Sequence, residues 1–394
     1  MKMKKNLITQ VDGLHLPQWL VEKNQRTNYA LCDFMHLTLM RHRATKDVFG
    51  VSKQDMDKLK HNDAAMGTLM NMPFLAVSPS LSGVQDWRVF VDGTPPTLAV
   101  ATIQRAMPSV DDLVDRDIYH YNRTYVQILK DVLHMSVLAA PLLGISLDLA
   151  DYLRELTIDR LEIGVQGMKF PLFRWRFKDP LFWNEYSAGM LNAEVVAHYI
   201  MQTSPIKAGP LPHKQSWSSL RLDREDNERF ANAMMLQGCR ASTAADLFKL
   251  NQTKARMKYK EMHGVSSSMG NRPQSLTFYV AHPVQRLQAS AYAWLYRSAL
   301  ASGANIPEAL IATNDLMSKF FGSKLLIVPE RGWHLTRTMA MDARLRMEPC
   351  KNCGTHYVLA NHDAKIELGM HFACAGCLHQ LAQRSSSSKR KVPQ

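Results

Sequence analysis

Apolar positions recur along this chain at helical spacing, and one block of the pattern occurs twice. Residues 28–62 read "NYALCDFMHLTLMRHRATKDVFGVSKQDMDKLKHN", and residues 123–157 read "RTYVQILKDVLHMSVLAAPLLGISLDLADYLRELT". Each is an apolar-periodic helix, a glycine stop and a serine-started second helix. Gly50, Val51 and Ser52 align with Gly144, Ile145 and Ser146; Asp57 then falls on Asp151, Leu59 on Leu153 and Lys60 on Arg154. The glycines sit where a helix end favours a left-handed residue, and the serines where the next helix wants an N-cap. Strand-like stretches follow both blocks: "FLAVS" and "WRVFVDG" after the first, "MKFPLFRWRF" after the second. Their alternation predicts half-buried strands. The chain thus opens with two small units, residues 1–110 and 111–180, each helical with a short strand region.

Pro180, Pro205, Pro210 and Pro212 then punctuate a polar stretch, which predicts a linker over 181–225. Beyond it the helical pattern resumes. "ERFANAMMLQGC" opens a helical domain over 226–347, and "HPVQRLQASAYAWLYRSALASG" and "NIPEALIATNDLMSKFF" read as its core helices, the second with Pro307 in its first turn. "WHLTRTMAMDARLRM" leads into a cysteine-bearing module over 348–384. The closing "RSSSSKRKVPQ" is too polar to pack and predicts a disordered tail over 385–394. The fold class expected is mainly α with short β elements.

Within the third unit, Ala244, Leu247 and Phe248 supply the inner face of a short helix, "KLNQ" a turn and "QTKARMKYKEMHG" a second helix. This is helix-turn-helix spacing. Gln252, Thr253 and Lys254 lie at the N-terminal end of the second helix, the end that meets base edges in such motifs, where Gln can pair with adenine and Lys with guanine. Arg256, Lys258 and Lys260 suit phosphates, and Arg272 in the loop beyond is a further basic candidate. A basic amphipathic surface helix is the plainer alternative.

Charge sharpens this reading. The net charge is +13, and residues 226–394 hold 22 Lys and Arg against 11 Asp and Glu, leaving 26 against 24 for the rest. Nearly all the positive excess lies in the half with the helix-turn-helix spacing, which points to phosphate polymers as partners. With 46% apolar residues the chain can bury real cores. The opening "MKMKKNLITQVDGLHLPQW" has no apolar stretch after its lysines, and no segment is apolar enough to span a bilayer. Cys32 and Cys239 stand alone, which fits a reducing cytoplasm better than a disulfide framework.

The other four cysteines form two C-x-x-C pairs, Cys350 with Cys353 and Cys374 with Cys377. Two residues between thiolates let a tight turn aim both sulfurs at one point, and two such turns complete the closed tetrahedral shell that zinc prefers. One structural zinc per chain is expected, with no open position for catalysis. His356, His362, His371 and His379 lie in or beside the segment; any of them could replace a cysteine, and exposed loop histidines are the plainer reading.

Several separated motifs carry a family resemblance. "YKE" at Tyr259 to Glu261, "LTR" at Leu335 to Arg337, "CKNCG" and "FACAGC" make residues 226–385 resemble FlhC, the zinc-binding subunit of the flagellar master activator. The four cysteines match that family's zinc ligands one for one. The two repeats resemble FlhD, the partner subunit. The second is the closer, through "LLGISLDLADYLRELT" and "FPLFRWRF"; the first departs at "HNDAAMGTLMNMP" and "WRVFVDGTPPTLAV". The resemblance implies two FlhD-like helical units followed by a helical FlhC-like domain with a C-terminal zinc ribbon. A homodimer of this fusion would reproduce the family's assembly of four D-type and two C-type chains. It further implies a non-enzymatic, sequence-specific transcription activator that binds double-stranded promoter DNA and recruits bacterial RNA polymerase. Its targets would be flagellar genes or the transfer genes of conjugative elements. The alternatives are a zinc-ribbon nuclease or recombinase, whose clustered carboxylates are not evident here, and an anti-regulator that binds no promoter.

Overall fold

The computed structural model describes residues 14–206, 222–268, 275–341, 344–362 and 365–381. The chain divides into two compact units. Arg272, residues 207–221 of the expected linker and the 385–394 tail lie outside the described residues.

One unit, residues 17–135 and 139–206, contains both repeats. Its elements are α1 (Gln18–Arg41), α2 (Lys46–Phe49), α3 (Lys53–Lys60), α4 (Asp63–Met70), β1 (Val77–Pro79), α5 (Val84–Val91) and α6 (Leu98–Ala106) in the first copy. The second copy has α7 (Asp112–Met135), α8 (Ala139–Leu143), α9 (Leu147–Glu155), α10 (Ile158–Gln166), β2 (Phe173–Trp175), α11 (Pro180–Ser187) and α12 (Ala193–Gln202) in the same order. The local chemistry repeats as well. Gly50 and Gly144 both take left-handed conformations, with φ of 65° and 68°. Ser52 Oγ accepts the Asp55 N–H at the start of α3, and Ser146 Oγ the Leu149 N–H at the start of α9. These are the stop and cap that the sequence asks for.

Inside, the long helices α1 and α7 pack together, with Phe34 stacked on Tyr121 at 4.4 Å between ring centres. A buried asparagine on each fastens its own copy's strand. Asn28 donates to the Phe74 carbonyl at 3.0 Å and accepts from the Ala76 N–H at 2.8 Å. Asn122 donates to the Phe170 carbonyl and accepts from the Leu172 N–H, both at 2.8 Å. The strands then pair across copies. β1 and β2 are antiparallel, with Ser78 opposite Arg174 and Val77 and Pro79 opposite Trp175 and Phe173. Ser78 and Arg174 are equivalent positions in the two copies, so an approximate two-fold axis passes between them. Its mates beyond the ladder are the Ser80 N–H to Leu172 carbonyl bond at 2.8 Å and the Arg176 N–H to Ala76 carbonyl bond at 3.1 Å. The unit is therefore an isologous pair closed within one chain.

Two expectations are corrected here. "WRVFV" of "WRVFVDG" is helical, the end of α5, not a strand. Gly83 begins that helix, its N–H bonded to the Asp86 carboxylate at 3.1 Å, and burial of Trp87 orients it. An alternating stretch of four or five residues does not distinguish strand from helix when a cap and a buried indole favour the latter. The linker expected from 181 instead carries α11 and α12. Asp179 caps α11 through the Leu181 N–H, Pro180 sits in its first turn, where a missing N–H costs nothing, and Phe182, Trp183 and Tyr186 are buried.

The other unit comprises residues 1–16, 136–138 and 207–394. Its described helices are α13 (Arg224–Leu236), α14 (Ala241–Leu247), α15 (Gln252–His263), α16 (Phe278–Ala281), α17 (Pro283–Ala301), α18 (Ile306–Phe321) and α19 (Pro329–Met341). A three-stranded antiparallel sheet follows, in the order β3 (Leu345–Pro349), β4 (His356–His362), β5 (Lys365–Ile366). α17 is the central helix, buried from Leu287 through Tyr296. Asn305 and Glu308 form a capping box at the start of α18, with Pro307 in its first turn as expected. α19 approaches α17 closely at Gly332, where a Cβ would come within 2.2 Å of the Tyr292 ring. The segment just before α1 also belongs to this unit. Leu14 and Leu16 are buried, and the half-buried Asp315 of α18 accepts from the Leu16 N–H at 2.8 Å and pairs with His15 at 3.2 Å and with Lys319. Among the described residues no helix is long and apolar enough to cross a membrane.

Candidate metal centre and nucleic-acid interface

The cysteines stand on two turns that the sheet brings together. In the first, the Cys350 N–H donates to the Thr355 carbonyl and the Gly354 N–H to the Cys350 carbonyl, both near the top of β4. Gly354 has φ 69°, the left-handed residue that turns the chain back after the second thiol. In the second turn the Leu378 N–H returns to the Cys374 carbonyl, and His379 takes the left-handed position, φ 53°. The turns are joined by the Lys351 N–H to Phe372 carbonyl bond at 2.9 Å. The module is fastened to α17 by the Val358 N–H, which donates to Ser290 Oγ at 2.9 Å, and by the Arg286–Glu367 ion pair at 2.8 Å.

The sulfurs converge. Cys353, Cys374 and Cys377 place their Sγ atoms within 4.8 Å of one another. Cys353 and Cys374 are 3.6 Å apart. Four sulfurs at about 2.3 Å from one zinc would be separated by about 3.8 Å, so this spacing fits a shared metal. Cys350 Sγ is tied to the second turn by the Cys374 N–H at 3.2 Å and accepts the Asn352 N–H at 3.4 Å; the Cys377 N–H points at Cys374 Sγ at 3.4 Å. Backbone donors aimed at sulfur stabilise thiolate, the form that binds a metal. Without a cation the cluster resists ionisation. The Cys353 thiol and burial hold the Cys374 thiol far above its usual range, and burial with the same neighbour pushes Cys377 up to about 12. A divalent cation is what such a donor set accommodates. Cys32 and Cys239, the lone cysteines, are buried and unbridged, and burial pushes Cys32 up to about 12.

The helix-turn-helix spacing is realised by α14 and α15. Phe248 closes α14 and stacks on Phe230 of α13, with ring centres 6.2 Å apart. Lys249, at φ 53°, makes the sharp turn, and the Leu250 N–H bonds back to the Ala245 carbonyl at 2.8 Å. Asn251 caps α15 by accepting the Lys254 N–H at 3.1 Å, and Gly264 ends it in a left-handed conformation, φ 70°. Ala255 is the residue of α15 that is buried. The His263 ring bonds the Met235 carbonyl of α13 at 2.8 Å, fixing the far end of α15.

Of the sequence candidates, Gln252, Thr253, Lys254, Arg256 and Lys260 are all exposed on α15. Lys254, Arg256 and Lys260 have no carboxylate partner among the described residues. Two others are engaged locally: Gln252 donates to Asp246 at 3.2 Å, and Lys258 reaches both carboxylate oxygens of Glu261 at 3.1 Å. Such exposed contacts are weak and exchange readily for a phosphate.

A residue absent from the sequence reading organises the motif. Glu330, at the start of α19 and buried, accepts from Thr243 Oγ1 at 2.8 Å and pairs with Arg240 Nε at 2.9 Å. It clamps the first turn of α14 to α19. A glutamate ninety residues away has no local periodic signal, although an acid at a helix start among apolar neighbours is a hint.

A search of curated proteins gives no match to this chain. A family model does match: residues 219–392, which include the helix-turn-helix, α17 to α19 and all four paired cysteines, correspond to the FlhC family, described as "Flagellar transcriptional activator (FlhC)".

Proposed function

We propose that this chain is a sequence-specific DNA-binding transcription activator of the FlhC type, and not an enzyme. One observation carries the reading: a rigid helix-turn-helix offers uncompensated cations on α15 within the same FlhC-matching region as a converging four-cysteine ribbon. Cys350, Cys353, Cys374 and Cys377 hold one structural zinc, whose binding energy folds the ribbon against α17. Gln252, Thr253 and Lys254 face base edges, while Arg256, Lys258 and Lys260 meet phosphates.

The closed two-fold pair supports reading the duplicated unit as two D-type subunits joined in cis. Linkage fixes their ratio to the C-type unit and holds them at high effective concentration. A homodimer of the chain would then present two C-type units to an inverted-repeat site and recruit RNA polymerase at flagellar or conjugative-transfer promoters. Mapping the DNA bound by a tagged chain across a bacterial host's genome and plasmids tests this. Enrichment at a small set of promoters sharing an inverted repeat is expected. Uniform background occupancy, with the protein expressed and zinc-loaded, would overturn it.

A further inference from the structure

α19 carries a second set of cations, one of them the arginine of the "LTR" stretch. At about 100° per residue, Arg331, His334 and Arg337 fall within an arc of roughly 120°. Gly332, Leu335, Thr336 and Met339 are buried on the opposite face, and Glu330 and Thr338 are buried beside the row, so Arg331 and His334 are half-exposed and Arg337 is the most exposed of the three. Neither Arg331 nor Arg337 has a carboxylate partner among the described residues. Both are placed over aromatic rings instead: the Arg331 guanidinium lies 3.5 Å from the ring centre of Phe278, and that of Arg337 5.1 Å from Trp333. Arg337 Nε also lies 3.4 Å from Met341 Sδ.

This matters electrostatically. A carboxylate partner cancels an arginine's charge, whereas an aromatic ring orients the guanidinium and leaves its positive charge uncompensated. The ring also restricts the side chain beforehand, so less rotamer freedom is lost when an anion arrives. His334 is fixed in the same row, its Nδ1 2.9 Å from the Tyr279 hydroxyl, which in turn donates to the Arg331 carbonyl at 2.9 Å.

The face is also rigidly referenced to the helix-turn-helix. Glu330, one residue before Arg331, is the buried carboxylate that holds Arg240 and Thr243 of the α14 start. Gly332 seats the same turn of α19 against Tyr292. Preorganised cations at a fixed offset from a recognition helix are what a polymer with regularly spaced phosphates can use.

We propose that Arg331 and Arg337, with His334 between them, form a second phosphate-gripping surface that contacts the backbone of the same DNA duplex read by α15. The proposal rests on the DNA-binding reading above. Phosphate contacts position a protein without reading sequence, so this face should set affinity and register, leaving base preference to α15.

The test uses the full zinc-loaded chain, a fluorescent duplex carrying a mapped site and a scrambled duplex of equal length, titrated across salt concentrations. Arg331→Gln with Arg337→Gln should weaken binding to both duplexes by of order tenfold and flatten the log–log salt slope by about two. The preference for the mapped site should be retained. Arg337→Lys should keep the slope, because the charge remains. Melting temperature and zinc content check that each variant is folded. If the double variant binds with wild-type affinity and slope while Lys254→Ala is impaired, the α19 proposal fails and the DNA-binding reading stands. Unchanged DNA binding with lost RNA polymerase capture would assign the face to a protein partner and equally overturn it. If the wild type binds neither duplex, the parent reading fails and this one with it.

Discussion

The two units of this chain differ in how they are closed and in where their unpaired cations gather. In the duplicated unit several ion pairs join separate elements: Lys23 pairs with Asp131, Lys60 with Asp33, Arg123 with Glu162 and Arg160 with Asp92. In the FlhC-matching unit, Lys254, Arg256, Lys260, Arg331 and Arg337 have no carboxylate partner among the described residues. One unit closes a two-fold interface on itself by hydrogen bonds between its copies. The other ends in a ribbon of converging cysteines and exposes unpaired cations on α15. Both units pair some of their cations, so the imbalance seen in sequence is one of count, and the difference lies in the row of unpaired cations on α15. It supports the proposed division, scaffolding in the first unit and contact with a polyanion in the second.

The largest effect that could break this contrast lies at the cysteines. Cys374→Ser, or removal of metal by a chelator, should release one zinc per chain and unfold the ribbon, since structural zinc contributes on the order of 10 kcal/mol. Calorimetry with metal analysis should show the FlhC-matching unit lose its transition while that of the duplicated unit persists. Retention of both transitions without zinc would show that the sulfurs do not hold a structural metal.

Next come the asparagine tethers. Asn28→Ala and Asn122→Ala each orphan a buried N–H and carbonyl, at about 1–3 kcal/mol per group. Urea unfolding should show similar losses for the two variants, because the contacts are two-fold mates. A loss at one position alone would mean that the copies are not equivalent parts of one interface.

A smaller effect separates the two kinds of cation on α15. Lys254→Ala should relax base preference, whereas Lys258→Ala should weaken binding to all duplexes and flatten the salt slope by about one. Its pairing with Glu261 makes Lys258 the weakest phosphate contact of the helix. Arg256→Ala should therefore exceed it in lost affinity, as measured by anisotropy.

The smallest concerns Asp315. Burial alone would raise its pKa, but hydrogen bonds from His15 and Lys319, the Lys319 charge and the Leu16 N–H together hold the carboxyl below its usual value. Because the folded pKa lies below the unfolded one, the stabilisation is present above the ordinary carboxylate range and is lost as pH falls through the folded value. Asp315→Asn should cost about 1–2 kcal/mol at pH 7 in a denaturant titration, with the gap to wild type closing in acid. A gap independent of pH would exclude the ionised carboxylate as its source.

Much of this organisation is legible along the chain, for physical reasons. The glycine stops at positions 50 and 144 and the serine caps at positions 52 and 146 are local devices, and they occur as read. The paired cysteines converge as their spacing asks, and α14 and α15 follow the helix-turn-helix pattern. What sequence reading misses is decided by distant contacts. α5 is helical because a cap and a buried Trp87 outweigh its alternation. α11 and α12 form inside a proline-rich stretch because Pro180 initiates a helix rather than breaking one. Residues 14–16 belong with the FlhC-matching unit through Asp315, three hundred positions away. Glu330 and the ring-parked arginines of α19 carry no periodic signature, because their partners come from other helices.

The most direct test of the central claim is a competition measurement on the purified full-length chain, with one zinc per chain verified by metal analysis. Labelled duplex carrying a mapped promoter site is challenged in turn with unlabelled site, scrambled duplex and heparin. The account predicts that the unlabelled site displaces the probe at far lower phosphate concentration than scrambled duplex does. It also predicts that heparin displaces the probe without mimicking the site. Equal displacement by all three, charge for charge, would contradict it and leave a cationic protein with no reading of DNA.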